Sequence, residues 1–379
     1  MMIPRYLPAL DLRARRQARR EASADAAGAL VAALAPGQSF PGRLPVAALR
    51  DGLNAWFRAL AQRSGAGVVV MSAQICPLVP LAVRHAGLAP RFVDIAPGAP
   101  VPSGGQFAAA LDASAKAVVV APFYGHAGAG LEALLGALGD RPLFLDLAQG
   151  IGLRGIEPLL ARADAIGFSF GIGKGLDTGG GLLLTRKPLE LIGATHTSLG
   201  VGAPGRAALL RAIVACGLYG FVAGTVERAA EAAPEDFDPQ VRVLDESWVY
   251  SWWLARLPAF LQDIEVARGR AAALEGRLGR HPALAHTETC FAPQATHLRQ
   301  ILRLSDPAAR PRVLERLRGG GVDSAPAGEP LPSSYLLGET GTYPAAAAFR
   351  ADAIRLPFLG RLTEAQFAHL TGALEHALG

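Results

Sequence analysis

The sequence predicts an α/β protein: a mostly parallel sheet with helices on both faces, followed by a mixed tail. Two observations carry this. Short, continuous β-branched runs recur through the first half, as strands buried on both faces require. Helical patterns separate them, and strand alternating with helix at this pace is the signature of a parallel sheet. Gly67 to Met71 (GVVVM) is the first strand, Val79 to Ala86 a helix, and Arg91 to Ile95 (RFVDI) the next strand. Ala117 to Pro122 (AVVVAP) follows, then an amphipathic helix through Leu131, Leu134, Leu135 and Leu138. Pro142 to Leu147, Ala165 to Phe170 and Gly181 to Thr185 complete the strands, with a glycine-rich turn between the last two.

Beyond about Lys187 the pattern changes. Helix is expected from Gly205 to Arg228, a loop over Glu231 to Asp238, and helix again from Glu246 to Leu278, broken at Pro258. Leu298 to Leu304 and Ala353 to Leu356 read as strands, and Pro311 to Arg318 as a helix. A loop rich in Gly, Pro and Ser spans Gly319 to Ser334. Thr363 with Gln366 forms a capping box that starts a closing helix to Leu378.

Composition excludes several classes. At 379 residues, 51% hydrophobic and 18% charged, the chain is too apolar for disorder and long enough for two cores. Three cysteines without CxxC spacing exclude a disulfide framework and a structural zinc site, and suggest a reducing compartment. The start has no apolar h-region, so the expected location is cytoplasmic. The longest apolar run, Ala212 to Val226, contains three glycines and is too short for a bilayer span; a buried or amphipathic helix is expected, and membrane contact is not. The net charge is +5, with arginines clustered at 13, 15, 16, 19 and 20. A solvated helix face explains them, and no nucleic-acid-reading motif accompanies them. The positive balance weakly favours an anionic small substrate.

Chemistry concentrates between Phe144 and Thr185. Asp146 ends a buried strand, where open parallel sheets build their sites, though it would also serve as a turn cap. Lys174 stands among Gly171, Gly173 and Gly175, where backbone can approach a ligand; a solvated turn lysine is the plain alternative. A Walker A loop is excluded, because Phe168 stands where its first glycine belongs and Gly175 where it needs Ser or Thr. The glycines run GxGxG, which also excludes the dinucleotide fingerprint.

Taken in order, Asp146-x-x-Gln149, Phe168-Ser169-Phe170-x-x-x-Lys174 and the glycines 179 to 181 resemble the DegT/StrS-type sugar-nucleotide aminotransferases, a branch of the fold type I pyridoxal-phosphate (PLP) enzymes. Gly87 to Asp94 (GLAPRFVD), Ala115 to Gly125 and the terminal Leu-Pro and Leu-Thr segments, 354 to 366, look like the same family. The resemblance covers about residues 45 to 187 and 343 to 378. It implies a large PLP-binding domain with a mostly parallel sheet, over 1 to 258, and a smaller C-terminal α+β domain, over 259 to 379. It also implies a PLP-dependent aminotransferase using an amino-acid donor and a carbonyl acceptor, a keto-sugar nucleotide, in a homodimer. A PLP enzyme on a non-sugar substrate, an eliminating enzyme and a non-catalytic relative are the alternatives.

The residue roles follow by resemblance. Lys174 would hold the cofactor as a Schiff base and then move protons. Asp146 would keep the pyridine nitrogen protonated, Gln149 would donate to the ring hydroxyl oxygen, and Ser169 to the phosphate. Gly52 and Leu53 align with the family's phosphate-binding helix start, where Leu53 replaces a polar residue and leaves backbone donors. Cys76 falls where the family places an aromatic ring over the cofactor, and a buried apolar cysteine is the alternative. Tyr124 and His126, at a strand end, are candidates for the substrate side; a surface position is the alternative for His126. Asp245 to Trp253 lacks the asparagine that the family's neighbouring subunit supplies, and its Trp248, Trp252 and Trp253 read as core or dimer interface. No His-Tyr-Pro substrate loop is recognisable in 319 to 335. His196, His281, His286 and His297 lack ligand spacing, so no metal site is expected.

Overall fold

The valine runs form the middle of a nine-stranded sheet in a computed structural model that describes residues 2–4, 12–191, 193–199, 202–216, 219 and 237–379. The strands are β1 Gly42–Val46, β2 Val68–Ser72, β3 Ala89–Val93, β4 Ala115–Val120, β5 Leu143–Asp146, β6 Ala165–Ser169, β7 Gly181–Thr185, β8 Ala194–Thr197 and β9 Val241–Leu244. Their order is β3-β2-β4-β5-β6-β7-β1-β9-β8. β3, β2, β4, β5 and β6 run parallel, and β7 returns antiparallel to β6. The helices are α1 Leu12–Arg20, α2 Ala26–Leu34, α3 Leu49–Ser64, α4 Leu78–His85, α5 Gly104–Ala109, α6 Leu131–Ala137, α7 Glu157–Arg162, α8 Gly202–Ala215 and α9 Trp248–Leu278.

Alternation along each strand supplies both faces. Val118, Val120, Leu143, Leu145 and Ile166 join a cluster with Leu134, Leu159 and Ile264. Val119, Phe144 and Ala165 point the other way, against Trp56, Phe57 and Val79 of α3 and α4. Fully buried parallel strands therefore read as unbroken apolar runs.

Three features escape the sequence pattern. β1 carries Pro45, yet pairs antiparallel with β7 over its whole length, while its ladder to β9 consists of Val46 opposite Val243. The proline's missing N–H thus faces an edge that needs little pairing. The expected break at Pro258 is a second difference, because α9 continues through it for 31 residues. Pro258 is solvent-exposed, so water can satisfy the carbonyl it frees, while Leu257, Phe260, Ile264 and Ala267 hold the opposite face in the core. The expected domain boundary at 258 falls inside this continuous helix. Third, the basic α1 docks instead of standing free. Arg15 lies 5.4 Å from the ring centres of both Trp248 and Trp252, Arg19 5.0 Å from Trp248, and Arg15 donates to the Leu199 carbonyl at 3.1 Å. The three tryptophans are core. Arg16 and Arg20 stay exposed.

The C-terminal part carries a four-stranded antiparallel sheet, β10 Leu284–Ala285, β11 Ile301–Leu304, β12 Ala325–Pro326 and β13 Ala353–Arg355, in the order β10-β11-β13-β12. It packs with α10 Arg310–Gly319, α11 Pro344–Asp352 and α12 Glu364–Leu378. The Thr363–Gln366 capping box forms as expected, with bonds of 2.8 and 3.2 Å. Asp94 docks this part onto the large sheet: its carboxylate accepts from Ala345 and Ala346 at 2.8 and 2.9 Å, satisfying free amides at the start of α11. Among the described residues no helix is long and apolar enough to cross a membrane. The apolar run Ala212 to Val226 lies mostly outside the described residues, as does most of the loop Glu231 to Asp238.

Candidate active site

The carboxyl ends of β2, β4, β5 and β6 meet at one edge of the sheet, and most of the sequence-predicted residues meet there. Asp146, the last residue of β5, is 7% exposed. Its Oδ1 accepts from the Ala148 N–H at 2.9 Å, and its other oxygen makes no hydrogen bond among the described residues. Burial pushes its carboxyl pKa up, against the pull of that hydrogen bond and of the nearby Lys174 ammonium. Lys174 is half-buried, and its amine makes no hydrogen bond among the described residues. Cys76, just past β2, shares the same field. Burial pushes its thiol up to about 11, Glu329 and Asp146 add to that, and Lys174 opposes it. The thiol is therefore protonated and unreactive at neutral pH. Ser169 ends β6, opposite Gly181.

Gln149 is fixed from one side. Its Oε1 accepts from the Tyr124 N–H at 3.2 Å, which leaves the amide Nε2 as the donor end. Tyr124 sits in the left-handed region at φ 55°, buried, and its hydroxyl accepts from the Gly328 N–H at 3.0 Å. Burial first, and then Glu329, push its phenol up to about 12. Gln74 exchanges two bonds with the backbone of Glu329, at 2.9 and 3.3 Å. The C-terminal segment 327–329 thus closes over the strand ends. Sequence spacing carries no signal for Gln74 or Glu329, which lie 255 positions apart.

Gly52 and Leu53 are placed differently from the alignment. α3 begins at Leu49, behind Ala48, so Gly52 is its fourth residue. Helical geometry pairs the Gly52 N–H with the Ala48 carbonyl. A β-carbon at Gly52 would lie 3.1 Å from Leu183 Cβ, so this glycine serves helix–sheet contact, and Leu53 is core. The amides left at the helix start are those of Leu49 and Arg50. They open beside the ends of β6 and β7: a β-carbon at Gly181 would lie 2.9 Å from the Leu49 nitrogen and 2.8 Å from the Phe168 carbonyl oxygen. Asp51 is fully buried; it accepts from Ala48 N–H at 2.8 Å and pairs with Arg242 at 3.2 Å.

His126 is buried, not on the surface, at 5% exposed, with its ring 6.1 Å from that of His297. Burial, helped by His297, pushes His126 down to about 3; burial pushes His297 down to about 4. Both are neutral in the folded chain at pH 7. The unfolded chain takes up these protons from about pH 6.5 downward, so it binds more protons than the folded one in that range and stability falls as pH falls. At pH 5 each histidine is expected to cost on the order of 2 kcal/mol relative to pH 7. Ring-proton NMR titration checks this; midpoints near the ordinary histidine value would refute it.

No family model and no curated protein sequence matches the chain. Solved structures do. TlmJ, an aminotransferase from Streptoalloteichus hindustanus, superposes with a TM-score of 0.73 at 20% identity, covering 100% of this chain and 99% of its own. PseC of Helicobacter pylori, an aminotransferase involved in pseudoaminic acid biosynthesis, gives 0.73 at 12% identity, with the same coverage. DesI, solved in the presence of its TDP-sugar product, gives 0.70 at 19% identity, covering 100% of this chain and 93% of its own. The chain has the fold type I architecture of these aminotransferases, along its whole length.

Proposed function

We propose that the chain is a PLP-dependent aminotransferase that transfers an amino group from an amino-acid donor to the carbonyl of a keto-sugar nucleotide. The observation that carries the reading is a lysine amine that makes no hydrogen bond among the described residues, near a buried carboxylate bonded on one side, at the strand ends of a fold type I sheet. A charge so placed is costly unless something cationic completes it. A protonated pyridine nitrogen is such a group, so the residues fit the ring end of pyridoxal phosphate. A scaffold protein has no use for the pair. The DesI structure, with its TDP-sugar product, supports the acceptor class.

When bound, the cofactor supplies an electron sink and carries the amino group between half-reactions. The chain's own residues do the rest. Lys174 tethers the cofactor and moves the proton at the substrate's amine-bearing carbon. Asp146 holds the ring nitrogen charged. Gln149 would donate from Nε2 to the ring hydroxyl oxygen, because its Oε1 is committed to Tyr124. Ser169 and the Leu49 and Arg50 amides bind the phosphate, in place of Gly52 and Leu53. The protonated Cys76 supplies an uncharged contact. Tyr124 would lie on the substrate side of the cofactor. The same reading makes the protein a cytoplasmic homodimer.

Purified protein supplied with pyridoxal phosphate should absorb visible light, and borohydride should fix the cofactor on the peptide bearing Lys174. An amino-acid donor should bleach the band, and a keto-sugar nucleotide should restore it. A band that no amino donor bleaches rules out transamination.

A further inference from the structure

The loop bearing Lys174 is held by side chains that the family motif does not contain. Asp177, 1% exposed and at φ 56°, accepts from the Gly173 N–H at 2.6 Å. Its other oxygen pairs with the Arg361 guanidinium, which also donates to the Gly175 carbonyl and, through Nε, to Asp263 at 2.8 Å. Arg299 donates to the Gly173 carbonyl at 3.0 Å. Gly175 itself leaves no room for a side chain: at φ 105°, a β-carbon there would lie 2.3 Å from the Phe260 ring. The residues on both sides of Lys174 are thereby held, while its amine makes no hydrogen bond among the described residues.

We infer that Arg361, with Asp177, is a positioning residue that fixes the backbone flanking Lys174, and that Arg299 ties the same backbone to the C-terminal part of the chain. The inference rests on the reading of Lys174 as the cofactor-bearing lysine. A fork that bonds a carboxylate and a carbonyl together resists rotation as a single point charge does not. Burial alone would draw the Arg361 pKa down, but Asp177 and Asp263 raise it above its ordinary value, so the fork keeps its charge at any working pH. Arg361 stands 187 positions beyond Lys174, in the turn between β13 and α12.

The test uses Arg361→Met and the double variant Asp177→Asn/Arg361→Met, which leaves neither partner of the broken pair charged and buried. In cofactor-free protein, amides 173 to 175 should exchange hydrogen at least about tenfold faster, the change expected for one lost charge-assisted hydrogen bond, while the β4 and β5 amides stay as in wild type. On adding pyridoxal phosphate, borohydride-fixable attachment at Lys174 should slow by about the same factor. In turnover kcat should fall with KM for the donor unchanged. Unchanged exchange over 173 to 175 together with wild-type attachment, in a variant that is merely less stable, would overturn the inference. Wild-type protein that attaches no cofactor at Lys174 would instead refute the functional reading, and the exchange arm would still decide the positioning role.

Discussion

Lys174→Ala is expected to abolish turnover and leave the fold intact. The loss should reach about four orders of magnitude in kcat, the upper range for removing a general acid–base that also holds the reacting group. Stability should change by no more than about 0.5 kcal/mol, because the half-buried side chain makes no hydrogen bond among the described residues and the loop is held by its neighbours. The variant should still bind pyridoxal phosphate, through Asp146, Gln149, Ser169 and the start of α3, but borohydride should fix nothing. Added primary amines should restore part of the rate, in the order of their basicity, since a small amine can occupy the space the lysine leaves. Single-turnover kinetics, a urea titration and mass spectrometry of the reduced protein check the three parts. A variant that turns over at the wild-type rate removes Lys174 from the chemistry. One that unfolds shows that the loop needs the side chain itself.

The parts of this molecule that sequence reveals are those in which neighbours along the chain are also neighbours in space. β2, β4 and β5 are legible because a strand buried on both faces has no polar alternative, and the position of Asp146 at a strand end near Lys174 because each lies within a short segment whose spacing the fold preserves. β1 is not, because its partner β7 lies 135 positions further on and Pro45 hides the strand pattern. Pro258 misleads for the complementary reason: what keeps α9 continuous is tertiary packing of Leu257 and Phe260, which outweighs one lost hydrogen bond. The helix start at Gly52 is wrong by one turn, since the Asp51 carboxylate reaches back to Ala48 and begins α3 earlier. Gln74, Glu329, Arg299 and Arg361 are silent in the sequence. Each acts across more than 120 positions, through backbone groups that every residue carries.

Asp146→Asn separates what the site needs from what the fold needs. In the cofactor-free chain this carboxyl is a burden. Burial raises its pKa, so the folded state binds its proton more tightly than the unfolded state does. Such a group favours folding at low pH and costs stability as pH rises through its folded pKa. Asparagine has the same shape, keeps an oxygen for the Ala148 N–H and carries no charge, so the variant's stability should equal or exceed that of wild type at neutral pH, with an advantage that develops as pH rises from the ordinary carboxylate range through the folded pKa and then levels off. Turnover should move the other way. A carboxylate about 4 Å from a charged ring nitrogen is worth roughly 4 kcal/mol at an effective dielectric of 20, about a thousandfold in rate once it is lost. The measurement is a pair: urea unfolding of cofactor-free protein across pH, and kcat of the loaded enzyme. Turnover within a few-fold of wild type, with cofactor bound, would show that Asp146 does not face the ring nitrogen. A large loss of cofactor-free stability would show that the carboxylate serves the fold. Opposite movements in the two measurements are what a buried acid kept for a cationic ligand produces, and a turn-capping aspartate produces neither.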